Sequence, residues 1–329
     1  MSVDPKQLRI VYMGTPDFAV APLQALVEGG YRVVAVVTMP DKPAGRGLKV
    51  QESAVKRYAV SAGLPVLQPE RLKDEAFVAA LRDLQPDLGI VVAFRMLPRV
   101  VFELPKYGTF NLHASLLPQY RGAAPINWAI INGERETGVT TFLLNPRMDE
   151  GAVIDRRTVA ILPEDNVGSL HDKLMTVGAG LVLESVARVV DETFHPQPQP
   201  ELPASELKPA PKIFKETCRI DFGVEGERII RLIRGLAPYP GAWTRLEERS
   251  AVDATLLRTT DVKIYAARFE ATAGTADRIG EVTAAGGVLR IACRDGYILP
   301  ELLQPAGKPR MAVRDYLNGW KPRGECRCV

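Results

Sequence analysis

The stretch Leu-Gly-Ile-Val-Val-Ala-Phe at residues 88–94 is an unbroken apolar run that follows a polar helical pattern. A run of this length and composition predicts a strand that is buried on both faces. Similar runs, interspersed with helical patterns, occur at residues 8–14, 31–40, 108–113 and 139–144. Alternating buried strands and helices predict a doubly wound α/β domain with a mostly parallel sheet.

The composition is that of an ordinary globular protein. The chain has 329 residues, of which 46% are apolar and 25% are charged, and this length favours two domains. No apolar stretch reaches the roughly 18 residues that a membrane-spanning helix needs. The amino-terminal residues lack the pattern of a secretory signal. We therefore expect a cytoplasmic protein that does not enter a membrane.

A proline-rich segment separates the two predicted domains. Residues 195–211, HPQPQPELPASELKPAP, contain six prolines. Proline at this density blocks helices and central strands and favours extended backbone. We predict a catalytic domain over residues 1–194, a linker with few packed contacts over 195–211, and a second domain over 212–329.

The second domain is expected to be a small β-barrel. A helical pattern at residues 224–236 precedes several short strand candidates that are separated by turn signals. Among them, TLLR at 255–258 and VKIYAARFE at 262–270 are interpreted as separate strands. Several short strands in about 100 residues favour a barrel.

The carboxyl-terminal part is the more basic part of the chain. Residues 206–329 contain 21 Lys and Arg and 16 Asp and Glu, a balance of +5, whereas residues 1–205 have a balance of −2. A basic region favours an anionic partner, most often nucleic acid, although a chance imbalance on a solvated surface fits equally well. Arg228, Arg231 and Arg234 recur every third residue of the helical pattern, so they are predicted to share one face.

The four cysteines do not form a disulfide framework. Cys326 and Cys328 form a C-x-C at the end of the sequence, with no second pair and no histidine nearby. We interpret them as frayed, reduced thiols rather than metal ligands.

The first glycine motif argues against a nicotinamide-dependent oxidoreductase. Gly14-Thr15-Pro16 follows the first predicted strand, where dinucleotide-binding proteins have G-x-G-x-x-G. Pro16 and Ala19 stand in place of the second and third glycines, so this loop lacks the close backbone approach that a pyrophosphate needs.

Residues 111–127, NLHASLLPQYRGAAPIN, contain the side chains best suited to chemistry. Asn111 and His113 stand two apart at a strand end, so both side chains point to one face, towards the usual crevice of an open α/β sheet. There an amide can donate to a developing oxyanion and an imidazole can move a proton. Asp149, after the next strand, is a candidate for orienting His113. A capping asparagine, a structural histidine and an unrelated turn aspartate also fit this spacing.

This segment identifies a family resemblance. FNLHASLLPQYRGAAPIN (110–127), followed by MDEG (148–151), closely resembles the methionyl-tRNA formyltransferases and, more broadly, the formyltransferases that use 10-formyltetrahydrofolate. The resemblance covers nearly the whole chain and includes GTPDFA (14–19), PDKPAGRG (40–47) and LQPAGKPRM (303–311).

The resemblance implies an activity and a catalytic triad. The activity is transfer of a formyl group from 10-formyltetrahydrofolate to the α-amine of methionyl-initiator tRNA, which gives N-formylmethionyl-tRNA for translation initiation. Asn111 and His113 would stabilise the tetrahedral oxyanion. Asp149 would hold His113 and help to remove the amine proton. This chemistry requires no metal.

The resemblance also implies binding residues. The formyl-folate site is expected to use Ser115, Leu116, Leu117, Pro118 and Phe94. Contacts to initiator tRNA are expected from a basic loop, MPDKPAGRGLK, and from the carboxyl-terminal domain, which is expected to be an OB-like barrel. The residues concerned are Lys42, Arg46 and Lys49 in the loop, and Lys308 and Arg310 in the barrel.

The sequence departs from the family pattern at two places. The family has Ala-Tyr-Gly-x-Ile-Leu-Pro after the buried strand, whereas the stretch from Ala93 to Pro98 is one residue shorter, so contacts in the folate pocket are expected to differ. The usual Asp-Thr-Gly is here Asp149-Glu150-Gly151. A second carboxylate facing the site would perturb the titration of Asp149.

Two other functions would share part of this set of residues. A formyltransferase that acts on a small amine, such as an amino sugar nucleotide, would keep the triad and the folate signature but would not need the basic loop or the basic domain. A non-catalytic RNA-binding protein would not need an intact triad. The residues together predict a monomeric formyltransferase whose partners are methionyl-tRNA and tetrahydrofolate.

Overall fold

The chain forms two compact units. The computed structural model describes residues 3–44, 49–275, 278–320, 322 and 324–329. The first unit comprises residues 1–125, 136–160 and 171–210, and the second comprises 126–135, 161–170 and 211–329. The domain bounds predicted from sequence, 1–194 and 212–329, assigned both short segments, 126–135 and 161–170, to the first domain.

The first unit is built on one sheet of seven strands. Its strand order is β5-β2-β1-β6-β7-β8-β9, and a separate two-stranded hairpin joins β3 to β4. The strands are β1 (Ile10–Gly14), β2 (Val33–Val37), β3 (Lys42–Ala44), β4 (Lys49–Gln51), β5 (Val66–Leu67), β6 (Leu88–Val92), β7 (Thr109–His113), β8 (Glu136–Leu143) and β9 (Val153–Ala160).

The sheet is parallel on one side and antiparallel on the other. The pairs β1–β2, β1–β6, β2–β5 and β6–β7 are parallel, which confirms the doubly wound α/β class. The pairs β7–β8 and β8–β9 are antiparallel. The apolar run at 139–144 was expected to continue the parallel series and instead reverses it, and β9 was not predicted. All five residues of β1 and of β6 are buried, as expected for strands covered on both faces.

Two helices of the first unit begin with local capping signals. Asp74 accepts hydrogen bonds from the backbone N–H of Ala76 and Phe77, and Ser53 accepts from the N–H of Lys56. The α-helices before the second unit's main segment are α1 (Val20–Glu28), α2 (Ala54–Ser61), α3 (Glu75–Asp83), α4 (Arg99–Phe102), α5 (Pro125–Ile131) and α6 (Val167–Val189). Within the described residues, no helix has the length and apolar character to cross a bilayer.

The second unit is a closed antiparallel β-barrel with two helices. Strands run in the order β11-β10-β16-β12-β13-β14, and β11 pairs with β14 to close the barrel, while β15 adds to the edge of β14. The elements are α7 (Gly226–Leu236), β10 (Ala242–Arg249), β11 (Leu256–Ala271), β12 (Glu281–Ala285), β13 (Val288–Cys293), β14 (Gly296–Pro305), β15 (Met311–Ala312), α8 (Val313–Gly319) and β16 (Glu325–Cys328). The barrel expected from sequence is confirmed.

The interpretation of TLLR and VKIYAARFE as two strands was wrong. Both lie in the single strand β11, which pairs with β10 over its first part and with β14 over its second part. The polar residues between the two apolar runs suggested a turn. In the barrel these polar residues belong to one continuous strand. β11 continues through them because its first part pairs with β10 and its second part pairs with β14.

The interpretation of the last residues as frayed was also wrong. β16 pairs with both β10 and β12, and the thiols of Cys326 and Cys328 are buried in the barrel core. Burial raises the pKa of Cys328 to about 12. Four residues are too few to predict a strand, and only the two neighbouring strands make this one stable.

The proline-rich segment has more contacts than a linker was expected to have. Gln197 exchanges two backbone hydrogen bonds with Val153 at the start of β9, with N···O distances of 2.7 and 2.9 Å. Ala210 is fully buried and its carbonyl accepts from the N–H groups of Ala123 and Ala124. Residues 195–210 therefore lie against the first unit as an ordered strap.

Candidate active site

Asn111 and His113, two of the residues predicted to carry chemistry, lie towards the carboxyl end of β7, and Asp149 lies in the segment between β8 and β9. Strand β1 has β2 on one side and β6 on the other, which is the arrangement that opens a crevice at the strand ends. Asn111 and His113 are both on β7, two residues apart and on one face. Asn111 is half-buried, and its side chain makes no hydrogen bond within the described residues, so its amide is available to a ligand.

His113 is buried and anchored through one ring nitrogen. Its Nε2 lies 2.9 Å from the carbonyl oxygen of Tyr120. Nε2 carries the proton, because a carbonyl can only accept a hydrogen bond. Nδ1 has no partner among the described residues, so it is the atom left to face a ligand or a reacting group. A second proton on Nδ1 would make it a donor, and a neutral ring would make it an acceptor.

Asp149 is held by the same loop that anchors His113. Its Oδ2 accepts a hydrogen bond of 3.0 Å from the N–H of Gly122, two residues after Tyr120. Within the described part of the chain no hydrogen bond joins Asp149 directly to His113, which differs from the contact expected from sequence. The loop 120–122 places both side chains instead.

The loop itself depends on a glycine. The φ angle of Gly122 is +126°, and a Cβ at this position would lie 2.4 Å from the carbonyl oxygen of Ala210. Both features exclude any other residue without a shift of backbone. Asp149 also has a positive φ, +54°, which a residue other than glycine seldom adopts.

Glu150, the residue that departs from the family pattern, has two cationic partners. Its Oε1 lies 3.1 Å from Nη1 of Arg121, and its Oε2 lies 3.2 Å from Nη1 of Arg147. The second carboxylate is therefore engaged by guanidinium groups.

The residues of the predicted folate signature, 115–118, mainly hold the local backbone in place. Ser115 is fully buried and its hydroxyl donates to the carbonyl oxygen of Gln119 at 2.7 Å. Thr140 on β8 accepts from the N–H of Leu117 and donates to the carbonyl of Ser115. The side chain of Leu116 lies over Gly138, where a Cβ would be 2.5 Å away. These contacts fix the path of the chain through Pro118. Whether these residues also contact a folate stays a prediction.

The shortened stretch after β6 is held by an arginine that the family pattern does not include. Arg95 donates to the carbonyl oxygens of Pro69 and Glu70, and its guanidinium lies 5.5 Å from the ring centre of Phe94. Burial lowers the pKa of Arg95. Phe94 packs against the apolar cluster beneath the sheet, and Ala93 has a φ of +46°. Arg95 thus ties the shortened stretch to the main chain of residues 69 and 70.

Comparison with known proteins fits this geometry. Residues 8–186 match the family model described as Formyl transferase, and residues 212–321 match the model described as Formyl transferase, C-terminal domain. The chain belongs to the formyltransferase family. The methionyl-tRNA formyltransferase of Bacteroides thetaiotaomicron is 53% identical over 96% of this chain and 97% of its own length. That of Parabacteroides distasonis is 54% identical over 97% and 98%, respectively.

Two solved structures share the fold of this chain. HypX from Aquifex aeolicus in complex with tetrahydrofolic acid has a TM-score of 0.61 at 19% identity and covers 97% of this chain. This chain spans only about half of HypX, 50% of its length. An N-formyltransferase from Helicobacter canadensis, in complex with folinic acid and dTDP-3-aminofucose, has a TM-score of 0.60 at 19% identity and covers 89% of this chain and 99% of its own.

The basic loop of this formyltransferase is only partly described. Lys42 is exposed at the start of β3, whereas Arg46 lies outside the described residues, and of Lys49 only the backbone in β4 is described. The base of the loop is well anchored. Asp41 binds the ammonium of Lys56 and accepts from Gln68 at 2.8 Å, and these two groups lower the pKa of Asp41.

The predicted tRNA residues of the barrel have different surroundings. Lys308 is exposed. The guanidinium of Arg310 lies 3.7 Å from the ring centre of Tyr265 and donates to the carbonyl oxygen of Pro238 at 2.6 Å. Tyr239, next to that carbonyl, is 80% exposed. Among the described residues the ammonium of Lys308 has no ionic partner, whereas the guanidinium of Arg310 is stacked on the ring of Tyr265.

The arginines on α7 do not form a common solvated face. Arg234 donates to the carbonyl oxygens of Leu162 and Asp165, at 2.8 and 2.7 Å, and burial lowers its pKa. The side chain of Arg231 lies over Gly133. Arg228 alone of the three is exposed.

Two features of the site were missed in the sequence. Thr15, after β1, has a buried hydroxyl with no partner among the described residues. Gln199, in the proline-rich segment, hydrogen-bonds the main chain of Asp149 and Gly151. A glutamine between prolines has no local signal for such a role, because its partners lie about 50 residues away in the chain. Within the described part of the chain, no group of three or more His, Cys, Asp or Glu side chains is arranged to hold a metal.

Proposed function

We propose that this chain transfers the formyl group of 10-formyltetrahydrofolate to the α-amine of methionyl-initiator tRNA. The observation that supports the proposal is similarity to methionyl-tRNA formyltransferases over nearly the full length of the chain, together with one loop, residues 120–122, that holds both His113 and Asp149. The donor is a co-substrate. Its formyl group needs hydrogen-bond donors that the protein does not already use, and the amide of Asn111 and Nδ1 of a doubly protonated His113 meet that need.

The proposed reaction is an acyl transfer without a covalent enzyme intermediate. The lone pair of the methionyl amine attacks the formyl carbon, and the carbonyl oxygen becomes an oxyanion in the tetrahedral intermediate. Asn111 donates to this oxyanion, and so does Nδ1 of His113 when the ring carries both protons. The C–N10 bond then breaks, and the products are N-formylmethionyl-tRNA and tetrahydrofolate.

Asp149 is the proposed proton acceptor. The amine must lose a proton as the new C–N bond forms, and N10 of the folate must gain one as it leaves. One oxygen of Asp149 is fixed by Gly122, which leaves the other oxygen free to take the proton directly or through water. Its fixed orientation reduces the loss of freedom needed to reach the transition state.

The basic groups of the chain are the proposed tRNA contacts. Lys42, Arg46 and Lys49, in the basic segment 39–49, would bind phosphates of the acceptor stem, and Lys308 and Arg310 would bind the phosphate backbone elsewhere. Every group assigned to the reaction comes from one chain, so we propose that the protein acts as a monomer. Aminoacylated tRNA as substrate implies work in the cytoplasm.

The test is transfer of labelled formyl from 10-formyltetrahydrofolate. Charged initiator tRNA, charged elongator tRNA and an amino sugar nucleotide are the three acceptors. The proposal expects label on the initiator tRNA and little on the other two. Label on the sugar nucleotide alone would overturn the proposed acceptor, and label on both tRNAs alike would overturn its specificity.

A further inference from the structure

The amide of Gln199 uses all of its hydrogen-bonding capacity at the loop that carries Asp149. Nε2 donates to the carbonyl oxygens of Asp149 and Gly151, at 2.8 and 3.0 Å. Oε1 accepts from Nη2 and Nε of Arg121, at 2.7 and 3.2 Å. A primary amide offers two donors and two acceptor sites, so this side chain is saturated and its orientation is fixed.

These contacts link Gln199, Arg121 and the loop of Asp149 into one connected set of hydrogen bonds. Arg121 binds Gln199 through its side chain, and the next residue, Gly122, binds the carboxylate of Asp149 through its N–H. Glu150 completes the set, because its carboxylate pairs with the one guanidinium nitrogen of Arg121 that Gln199 does not bind. Gly122 therefore fixes the side chain of Asp149, and Gln199, which Arg121 holds, fixes its main chain.

Asp149 needs such support because of its backbone. Its φ of +54° lies in the left-handed region, where a Cβ crowds the following carbonyl. A residue in this conformation persists only when its surroundings hold it. Gln199 binds the carbonyls on both sides of Glu150 and so holds the main chain of this turn from both sides of that residue.

The strap that presents Gln199 is stiff. Pro196, Pro198 and Pro200 alternate with the two glutamines, and each proline has a restricted φ. Gln197 fixes the register of the strap by its two backbone hydrogen bonds to Val153. The proline-rich sequence thus delivers one amide to a defined position with little loss of conformational entropy.

We propose that Gln199 is a positioning residue, which acts on the reaction only through Asp149. The proposal rests on the proposed function, in which Asp149 accepts the proton of the amine. Gln199 does not touch the reacting atoms. It sets where the free oxygen of Asp149 points.

The test is a double-mutant cycle between Gln199→Ala and Asp149→Asn. Asparagine is chosen because it tolerates a positive φ and has the size of aspartate. We expect Gln199→Ala alone to lower kcat about tenfold, as expected for loss of one or two hydrogen bonds, with little change in KM for the folate. In the Asp149→Asn background the same change should lower kcat by less than about twofold, because the carboxylate that it positions is gone.

A matched control is Gln197→Ala. Gln197 holds the strap through its backbone, and among the described residues its side chain donates only to the carbonyl of His195. This variant should keep wild-type kcat. Gln199→Glu keeps the acceptor for Arg121 but replaces both donors, so it should lose activity as Gln199→Ala does. Thermal melting of each variant shows whether the fold is retained.

Three results would overturn the proposal. One is an equal loss of kcat in both backgrounds, which would show that Gln199 acts independently of Asp149. Another is a lower melting temperature with unchanged kcat, which would make its role purely structural. The third is full activity of Gln199→Glu. The cycle is run on whichever amine the wild-type chain formylates, so a wild-type protein that ignores methionyl-tRNA contradicts only the proposed acceptor. A wild-type chain that formylates no amine contradicts both proposals.

Discussion

The strand end at Asn111 and His113 and the helix α7 both present polar side chains at a regular spacing, but the structure uses them differently. On β7, the Asn111 amide and one His113 nitrogen stay free of partners within the described residues. On α7, the guanidinium of Arg234 donates to two main-chain carbonyls. Of the three arginines on this helix, Arg228 alone is exposed. The spacing was informative in the first case and misleading in the second.

The difference has a physical cause. Asn and His are short, so a strand that fixes their Cα atoms also fixes where their polar atoms lie. An arginine side chain is long and carries five donors, so it can turn from the solvent to any carbonyl within reach. Counting charges therefore describes the field of residues 206–329, whose balance is +5, but does not identify which residues contact a ligand.

The largest expected effect on kcat comes from a substitution at the end of β7. His113→Ala should lower kcat at least about a hundredfold, because it removes a group that acts on the charge of the tetrahedral intermediate. Turnover with charged initiator tRNA is the measurement. The double variant with Asn111→Ala should fall short of the product of the two single effects, since both groups serve one intermediate. A folded His113→Ala protein with near-normal turnover would contradict the assignment.

Arg234 and Arg228 on α7 are expected to contribute differently to the free energy of unfolding. Arg234→Ala should lower the free energy of unfolding by about 2 kcal/mol, because two carbonyl oxygens lose their donor. Arg228→Ala, one exposed arginine on the same helix, is the control and should change it by less than about 0.5 kcal/mol. Chemical denaturation of both variants makes the comparison. Equal losses would mean that the two side chains have similar surroundings.

The salt dependence of tRNA binding sharpens the role of the free cation on the barrel. Lys308→Ala should weaken binding of charged initiator tRNA and reduce the slope of log affinity against log salt by about 1, as for one lost phosphate contact. Arg234→Ala should leave the slope unchanged. Binding curves across a salt series test both. An unchanged slope for Lys308→Ala would remove this residue from the RNA surface.

The smallest effect on function is expected at the end of the chain. Cys326 and Cys328 should resist thiol reagents near pH 8 in the native protein and react only after unfolding, since both are buried in the barrel and burial raises the pKa of Cys328 to about 12. A thiol with a raised pKa stabilises the fold fully below its unfolded pKa of about 8.5. This contribution is lost as the pH rises towards 12. Rapid labelling of the native protein would show that β16 frays.

Much of the first unit could be predicted from sequence because its signals are local. The apolar runs at 8–14 and 88–94 are long enough to mark buried strands, and the sites of β1, β6 and β7 followed from them. The Asn-x-His spacing placed two side chains on one face of β7. Direction was harder to predict, since β8 has the same apolar run as a parallel strand but pairs antiparallel with β7.

The remaining features depended on partners that are far apart in the sequence. β16 is a strand only because β10 and β12 flank it, and β11 is continuous only because two different strands pair with its two halves. The sequence by itself determined the class of the sheet and the barrel, and it marked Asn111 and His113 as candidates for acyl transfer, because periodicity and residue chemistry are local properties. Only the tertiary structure decided which long side chains were already occupied, and how the proline-rich strap brought Gln199 to Asp149. Those outcomes depend on hydrogen bonds formed across about 50 to 70 residues, which no local pattern encodes.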